Sequence, residues 1–275
     1  EKGKGFLKNL LKFFSGTTHK DMNMIIKTIR HLLYYFSLYS WASWVIMKNT
    51  LRLPFLPPAG INKIFSGYCS KFMSWVNFII SIDYKVKGQE NVPLDRPLII
   101  AVKHQSGYEA VALNTILPPS AFLVKKQLAY APVIGLASRL TSQVFVDRKK
   151  HNNTKELEKQ VQERFDLGLS LCVFPEGTRT APGDHNTHYK KGAAYLAQNL
   201  KVDILPVAHN AGEFYARGFF KFPGTVQFSI LPPIPWDAAE DATALTELLK
   251  KTIENEQKKI EGAGPSFPKK SPNLE

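Results

Sequence analysis

From Ile82 onward the chain alternates short β-branched runs with stretches of helical periodicity, and that alternation limits the possible folds more than any other feature. Strands are expected at Tyr84 to Val86, Leu98 to Val102, Ala121 to Val124, Val144 to Val146, Leu169 to Phe174, Ile204 to Ala208 and Val226 to Leu231. Helical patterns lie between several of them. The clearest runs from Thr154 to Leu167, with Leu157, Val161 and Phe165 on one face and Gly168 as the stop. Leu245, Leu248, Leu249 and Ile253 mark a closing helix. Interleaved strands and helices imply an α/β fold, a mostly parallel central sheet covered on both faces. With 275 residues, 44% of them hydrophobic, the chain can bury one sizeable core plus a small accessory element. The expected organisation is membrane-associated helices over residues 1–81, an α/β domain over 82–261, and a flexible tail over the Pro- and Gly-rich residues 262–275.

The region before Ile82 has a different texture. Gly5 to Phe14 places six Phe and Leu residues among Lys4, Lys8 and Lys12, the pattern of a short basic amphipathic helix. Leu32 to Met47 carries no charge, is rich in Tyr and Trp, and is bracketed by Lys27, Arg30 and Lys48. It is shorter than the roughly 20 apolar residues of a perpendicular span, while its aromatic content and basic flanks suit the headgroup boundary. After the break LPFLPP, Ile61 to Ile80 repeats the theme with Phe65, Phe72, Trp75, Phe78 and Ile79. A helical hairpin embedded in one leaflet explains both stretches; a full span, or helices packed on the globular core, are the alternatives.

Charge narrows the partners. Lys and Arg outnumber Asp and Glu by 36 to 23, a formal net charge of +13, so an anionic partner is expected: a phosphate-rich lipid surface, a phosphorylated small substrate or nucleic acid. Nucleic acid fits poorly, because the aromatics concentrate in the first two helices instead of interleaving with Lys and Arg, and no recognised nucleic-acid motif is present. Two cysteines, Cys69 and Cys172, are too few for a disulfide framework and lack metal-ligand spacing, which suits a reducing cytosolic environment. Cys172 lies inside the apolar run LSLCVF and reads as a core thiol.

The stretch LIIAVKHQSGYEA carries the chemistry. A buried strand runs out into His104, and Glu109 follows five positions later. Residues five apart in a helix are separated by about 140° around the axis, so at least part of the segment must be a turn if the two are to meet. With His104 in the strand-to-helix turn and Glu109 on the first helical turn, the carboxylate can reach an imidazole nitrogen. It would fix the tautomer and leave the other nitrogen free to take a proton. Two more strands end in polar tips: VFVDR, ending in Arg148, and FPEGTR, which supplies Glu176, Gly177, Thr178 and Arg179. Ligands collect at the carboxyl ends of parallel strands, so these tips are expected to converge with His104. Arg148 and Arg179 suit a phosphate, Gly177 permits close backbone approach, and Thr178 adds a hydroxyl. His185 and His188 beside Asp184 read as solvent-facing, and His209 as a hydrogen-bonded structural residue; no metal site and no cofactor are expected.

Taken together these motifs resemble the 1-acyl-glycerol-3-phosphate acyltransferases of the glycerolipid acyltransferase family, over nearly the whole span from Tyr84 to Pro235. His104 to Glu109 is similar to the family's first motif, although the usual acid is aspartate and Glu109 is a variant associated with bacterial members. Val144 to Arg148, Glu176 to Arg179, and Ile204 to Val207 with Pro206 resemble the second, third and fourth motifs. Lys125, in FLVKKQL, resembles the family lysine that helps to hold phosphate, with Lys126 able to share that work. The resemblance implies direct transfer, without metal, from acyl carrier protein or acyl-CoA to the sn-2 hydroxyl of lysophosphatidic acid, giving phosphatidic acid at the cytoplasmic face of a bacterial inner membrane. It also implies an α/β sheet preceded by a two-helix membrane element. Transfer to glycerol 3-phosphate, another lysophospholipid or a glycolipid are the nearest rivals. A membrane-interaction protein without catalysis is a rival of a different class.

Overall fold

A computed structural model of the protein describes residues 19–49, 55–56, 58–146 and 154–268. The amphipathic segment Gly5 to Phe14, together with Asp147, Arg148 and residues 269–275, lies outside them. Two helices come first, α1 (His19–Asn49) and α2 (Pro58–Ile80). The uncharged stretch expected from Leu32 to Met47 is thus the second half of a longer helix that also carries Lys27, Arg30 and His31. Then follow β1 (Ile82–Lys87), β2 (Ile99–Val102), α3 (Tyr108–Ile116), β3 (Ser120–Lys125), α4 (Pro132–Leu140), β4 (Val144–Val146), α5 (Thr154–Asp166), β5 (Ser170–Val173) and α6 (Gly192–Leu200). The last elements are β6 (Ile204–His209), the single turn α7 (Ala211–Phe214), β7 (Gly224–Ile230) and α8 (Ala242–Ile260).

All seven expected strands form, in one sheet of order β1-β7-β6-β2-β5-β3-β4. The five strands from β6 to β4 are parallel, so their carboxyl ends share one edge. β7 runs antiparallel to β6 and carries β1 parallel to itself at the outer edge. Alternation along each strand divides the core into two layers. Ile100, Val102, Cys172 and Leu205 face Phe72, Met73 and Val76 of α2 and Tyr108 of α3. Ile99, Ala101, Leu171 and Ile204 face Val161 and Phe165 of α5, Leu196 of α6, and Leu245, Leu249 and Ile253 of α8. Gly168, at φ 75°, ends α5 in the left-handed conformation that a glycine adopts without steric cost.

The N-terminal helices use one side each for packing. Tyr34, Phe72, Met73, Val76 and Ile80 are buried against the sheet domain. Phe36, Tyr39 and Met47 on α1 and Phe78 on α2 are among the most exposed large apolar side chains. Among the described residues no helix is long and apolar enough to cross a membrane. Polar bonds pin α1 in place: the Arg30 guanidinium donates to the Ile79 carbonyl at 2.6 Å, and the Tyr34 and Tyr215 hydroxyls meet at 2.7 Å. Composition misled at the other end. Residues 262–268, read as the start of a flexible tail, are held by Glu213, whose carboxylate accepts from the Gly262 N–H at 2.6 Å and whose carbonyl accepts from the Ser266 N–H at 3.1 Å.

Candidate active site

β2 ends at Val102, and the next five residues turn before α3 begins. Within that turn the His104 Nδ1 lies 2.8 Å from Glu109 Oε1. Glu109 is fully buried, and its carboxylate also accepts from the Gln105 N–H at 3.1 Å, the Ser106 N–H at 2.9 Å and the Ser106 hydroxyl at 2.5 Å. Ser106 in turn takes the Tyr108 N–H on its Oγ at 3.1 Å, so Ser106 and Glu109 make bonds of the capping-box kind at the start of α3. Burial alone would raise the Glu109 carboxyl; the hydrogen bonds from His104 and Ser106, with the neighbouring imidazoles of His209 and His104, outweigh it and hold the group below its ordinary value. An ionised Glu109 accepts the Nδ1 proton of His104, which leaves Nε2 as the nitrogen that can take a proton.

The ring of His104 is held on its other faces as well. It stacks on Phe174 of the neighbouring strand end, with centroids 4.0 Å apart and planes at 18°. Its backbone N–H donates to Glu176 Oε1 at 3.1 Å, and its carbonyl accepts from both the N–H and the hydroxyl of Thr180, at 2.7 and 3.0 Å. Sequence reasoning missed Thr180, Phe174 and Ser106. Only the last left a signal, since Ser-x-x-Glu ahead of an apolar run is the capping-box spacing.

Of the expected cations, Lys125 lies at the carboxyl end of β3 and Arg179 past that of β5. Lys125 ends β3 and is exposed, and Thr178 and Arg179 are exposed in the turn after β5. Gly107, at the start of α3, would carry a Cβ 3.5 Å from an Arg179 guanidinium nitrogen, which puts that charge three residues along the same turn from His104. Gly177 has φ 68°, and a Cβ there would lie 2.8 Å from the Lys190 ammonium nitrogen, a cation that the sequence did not mark. Arg148 falls outside the described residues. Glu176 departs from its expected place among the phosphate-binding residues. It is buried, and it faces His104's backbone and Lys103 Nζ, which lies 3.8 Å away. Burial raises its carboxyl to about 7, against the lowering effect of Lys103 and the His104 N–H.

Two histidines behave differently. His209 is the structural residue expected: it is fully buried, bonds the Lys103 carbonyl through Nε2 at 2.6 Å and accepts the Ala211 N–H on Nδ1. Burial lowers its tendency to protonate, so the neutral ring is favoured. His185 is not solvent-facing. It is half-buried, with Nδ1 2.8 Å from Glu254 and Nε2 3.4 Å from Glu261, because α8 passes beneath its loop; His188 is exposed.

Comparison with known proteins places the chain in a family. A family model described as Acyltransferase matches residues 83–210. The 1-acyl-sn-glycerol-3-phosphate acyltransferase of Pseudomonas aeruginosa is 33% identical over 227 residues, covering 81% of this chain and 87% of that protein. The human 1-acyl-sn-glycerol-3-phosphate acyltransferase alpha is 26% identical over 226 residues, covering 80% of each. In three dimensions the chain is similar to the crystal structure of the 1-acyl-sn-glycerophosphate acyltransferase of Thermotoga maritima, with a TM-score of 0.71, 22% identity, and coverage of 86% of this chain and 96% of that one. On that identity and coverage the chain belongs to the acyltransferase family represented by these 1-acyl-sn-glycerol-3-phosphate acyltransferases, and it is an enzyme.

Proposed function

We propose that the protein transfers a fatty acyl group from acyl carrier protein or acyl-CoA to the sn-2 hydroxyl of 1-acyl-sn-glycerol 3-phosphate, giving phosphatidic acid. The observation that carries this reading is the 2.8 Å contact of His104 Nδ1 with the buried Glu109 carboxylate, beside the Arg179 guanidinium. The acceptor oxygen attacks the thioester carbonyl carbon while His104 Nε2 takes its proton. The carbon–sulfur bond then breaks, and the imidazolium returns the proton to the departing thiolate. Glu109 stabilises the imidazolium and holds the ring. Arg179, Lys125 and Arg148 grip the acceptor's phosphate, helped by the Thr178 hydroxyl and by close approach at Gly177, so that the hydroxyl is presented to the base.

In this reading residues 82–261 form the catalytic domain and residues 1–81 a membrane-holding element. The exposed apolar sides of α1 and α2 enter one leaflet at the cytoplasmic face of a bacterial inner membrane. The test uses purified protein in detergent, a labelled acyl thioester and a panel of acceptors. Wild type is expected to acylate lysophosphatidate in preference to glycerol 3-phosphate, lysophosphatidylcholine or a glycolipid. His104→Ala is expected to lose at least about two orders of magnitude in turnover. Arg179→Ala should lose activity strongly with the phosphorylated acceptor and little with one that lacks phosphate; equal losses reject the phosphate assignment, and His104→Ala within about tenfold of wild type rejects the base.

A further inference from the structure

A stripe of buried polar groups that this mechanism leaves unused lies on one face of α8 and just past its end. Glu254, Gln257 and Glu261 follow one another at intervals of three and four residues, so they form a single stripe. The stripe points inward: Gln257 is fully buried, Glu254 nearly so, and the Glu261 side chain is 2% exposed. A carboxylate removed from water is stable only when charged or polar partners replace its hydration, so the partners reveal what the stripe holds.

Every partner sits at the edge that carries the site. Glu254 receives Lys103 Nζ at 2.6 Å, the Tyr189 hydroxyl at 2.8 Å and His185 Nδ1 at 2.8 Å. Gln257 binds the backbone of His209 through both its oxygen and its nitrogen. Glu261 accepts from Gln105 Nε2 at 2.6 Å and Gln257 Nε2 at 2.5 Å on one oxygen, and from the Gly183 N–H at 3.2 Å on the other. Gln105 is the residue after His104, and Gly183 lies four residues beyond Arg179. Gln105 is fixed from behind as well: its Oε1 accepts the Gly212 N–H at 3.1 Å, and a Cβ on Gly212 would come within 2.8 Å of Gln105 Cβ. One carboxylate therefore joins the turn that bears the imidazole to the turn that bears the guanidinium.

We propose that Glu261 is a positioning residue for acyl transfer: through Gln105 and Gly183 it completes, beside the direct Thr180–His104 bonds, the set of contacts that orients the His104 turn against the Arg179 turn. The proposal rests on the roles given above to those two residues. Thr180 and Glu176 tie the two turns together at the His104 backbone, and Glu261 adds a second tie through the flanking residues Gln105 and Gly183. Displacement of a reacting group by about 1 Å can cost on the order of a hundredfold in rate.

The test compares wild type, Glu261→Ala, Glu261→Gln, Gln105→Ala and the double variant Gln105→Ala/Glu261→Ala, each as the full chain, with lysophosphatidate and an acyl-CoA. Glu261→Ala is expected to lower kcat by about ten- to a hundredfold, with the protein fully folded at the assay temperature by circular dichroism and with KM for the acyl donor unchanged. Gln105→Ala should lose a similar factor, and the double variant no more than the worse single, because both changes break the same contact. Glu261→Gln keeps an acceptor oxygen for Gln105 but turns an amide NH2 toward the Gly183 N–H, so its activity should lie between that of wild type and that of the alanine variant. The proposal is overturned by Glu261→Ala within about twofold of wild type, by losses that multiply in the double variant, or by Glu261→Gln as impaired as the alanine. If Glu261→Ala does not fold, Gln105→Ala decides: wild-type turnover there overturns the proposal, and a loss of about tenfold beside an active Glu261→Gln supports it. His104→Ala, run alongside, separates the two ideas. A wild type that acylates no lysophosphatidate removes the functional reading and this one with it, whereas an active wild type, a silent His104→Ala and an unimpaired Glu261→Ala remove this one alone.

Discussion

On α1, Phe36 is 73% exposed, and on α2 Phe78 is 79% exposed; on the sheet edge Lys103 and Glu109 are fully buried. Each region inverts the ordinary rule of burial in its own direction. The helices keep apolar rings in solvent where a leaflet would cover them. The sheet edge keeps charges in the protein interior where bonds to one another and to backbone N–H groups replace water. An inversion of either kind costs stability unless something else offsets it, and on the function proposed above the offset would be what the protein works on: a lipid surface in one, a proton and a phosphate in the other.

The sharpest break in that comparison is Glu109. Glu109→Ala leaves the Ser106 and Gln105 N–H groups and the His104 ring without their acceptor, so turnover is expected to fall by at least about a hundredfold. Stability should drop by roughly 2–4 kcal/mol in urea unfolding, because several buried donors lose their partner together. Glu109→Asp keeps the charge with one methylene fewer and should fall between the two. Wild-type turnover in Glu109→Ala would mean that the buried carboxylate serves the capping box alone.

Glu176 sharpens the comparison through pH. Its folded-state value, about 7, lies above that of the unfolded chain because burial disfavours the ionised form. The native protein therefore binds more protons than the unfolded one between the two values. The stabilising contribution is complete below the unfolded value and is lost as pH rises through about 7, a change on the order of 3 kcal/mol. Glu109, held low, and His209, whose protonation burial disfavours, contribute slopes of the opposite sign, and because Glu176→Gln leaves both in place, the difference between the two proteins isolates Glu176. Glu176→Gln should flatten the slope of unfolding free energy between about pH 5 and pH 8; parallel curves for the two proteins would mean that Lys103 keeps Glu176 ionised throughout.

Much of this was legible in the residues, and the remainder had definite reasons to be hidden. The central strands β2, β5 and β6 announce themselves because buried parallel strands are short apolar runs. The His104–Glu109 contact could be anticipated once a strand-to-helix turn was placed between them, since a continuous helix would hold the two apart. What could not be read is pairing at long range. Lys103 meets Glu254 across 151 positions, and nothing local distinguishes Glu254 from the exposed Glu247 on the same helix. Glu176 was misplaced for a related reason. It sits in a run of polar residues at a strand end, Glu-Gly-Thr-Arg, and only the turn at Gly177 decides that the acid points inward while Thr178 and Arg179 point out. Residues 262–268 misled because composition reports the absence of a core and cannot report a docking carboxylate such as Glu213.

On the helical side, Phe36→Glu and Phe78→Glu test whether the exposed rings enter lipid. Both side chains are mostly in solvent, so thermal unfolding in detergent-free buffer should move little. Burial of a ring of this size in an apolar phase is worth roughly 1.5–3 kcal/mol, so each substitution should weaken binding to anionic liposomes in a flotation assay by about tenfold or more. Equal flotation of wild type and both variants would assign the exposed faces to a protein partner instead of a bilayer.

The smallest effect is expected at the seam between the two regions. Tyr34, 1% exposed on α1, shares a hydroxyl–hydroxyl bond of 2.7 Å with Tyr215, whose ring tilts against that of Tyr108 at the start of α3. Burial raises the Tyr215 phenol to about 12 and that of Tyr34 further, so both remain protonated and the bond is between neutral groups. Tyr34→Phe removes one partner without changing the packing, and a neutral bond of this kind contributes about 1 kcal/mol. If the seam only fastens α1, the variant should lose that much stability in thermal unfolding and keep its turnover. If the seam also carries the placement of α1 to the edge that bears His104 and Arg179, turnover on liposomes should fall while turnover in detergent stays level, and the division into a lipid-facing and a proton-handling region would then be a coupling as well as a contrast.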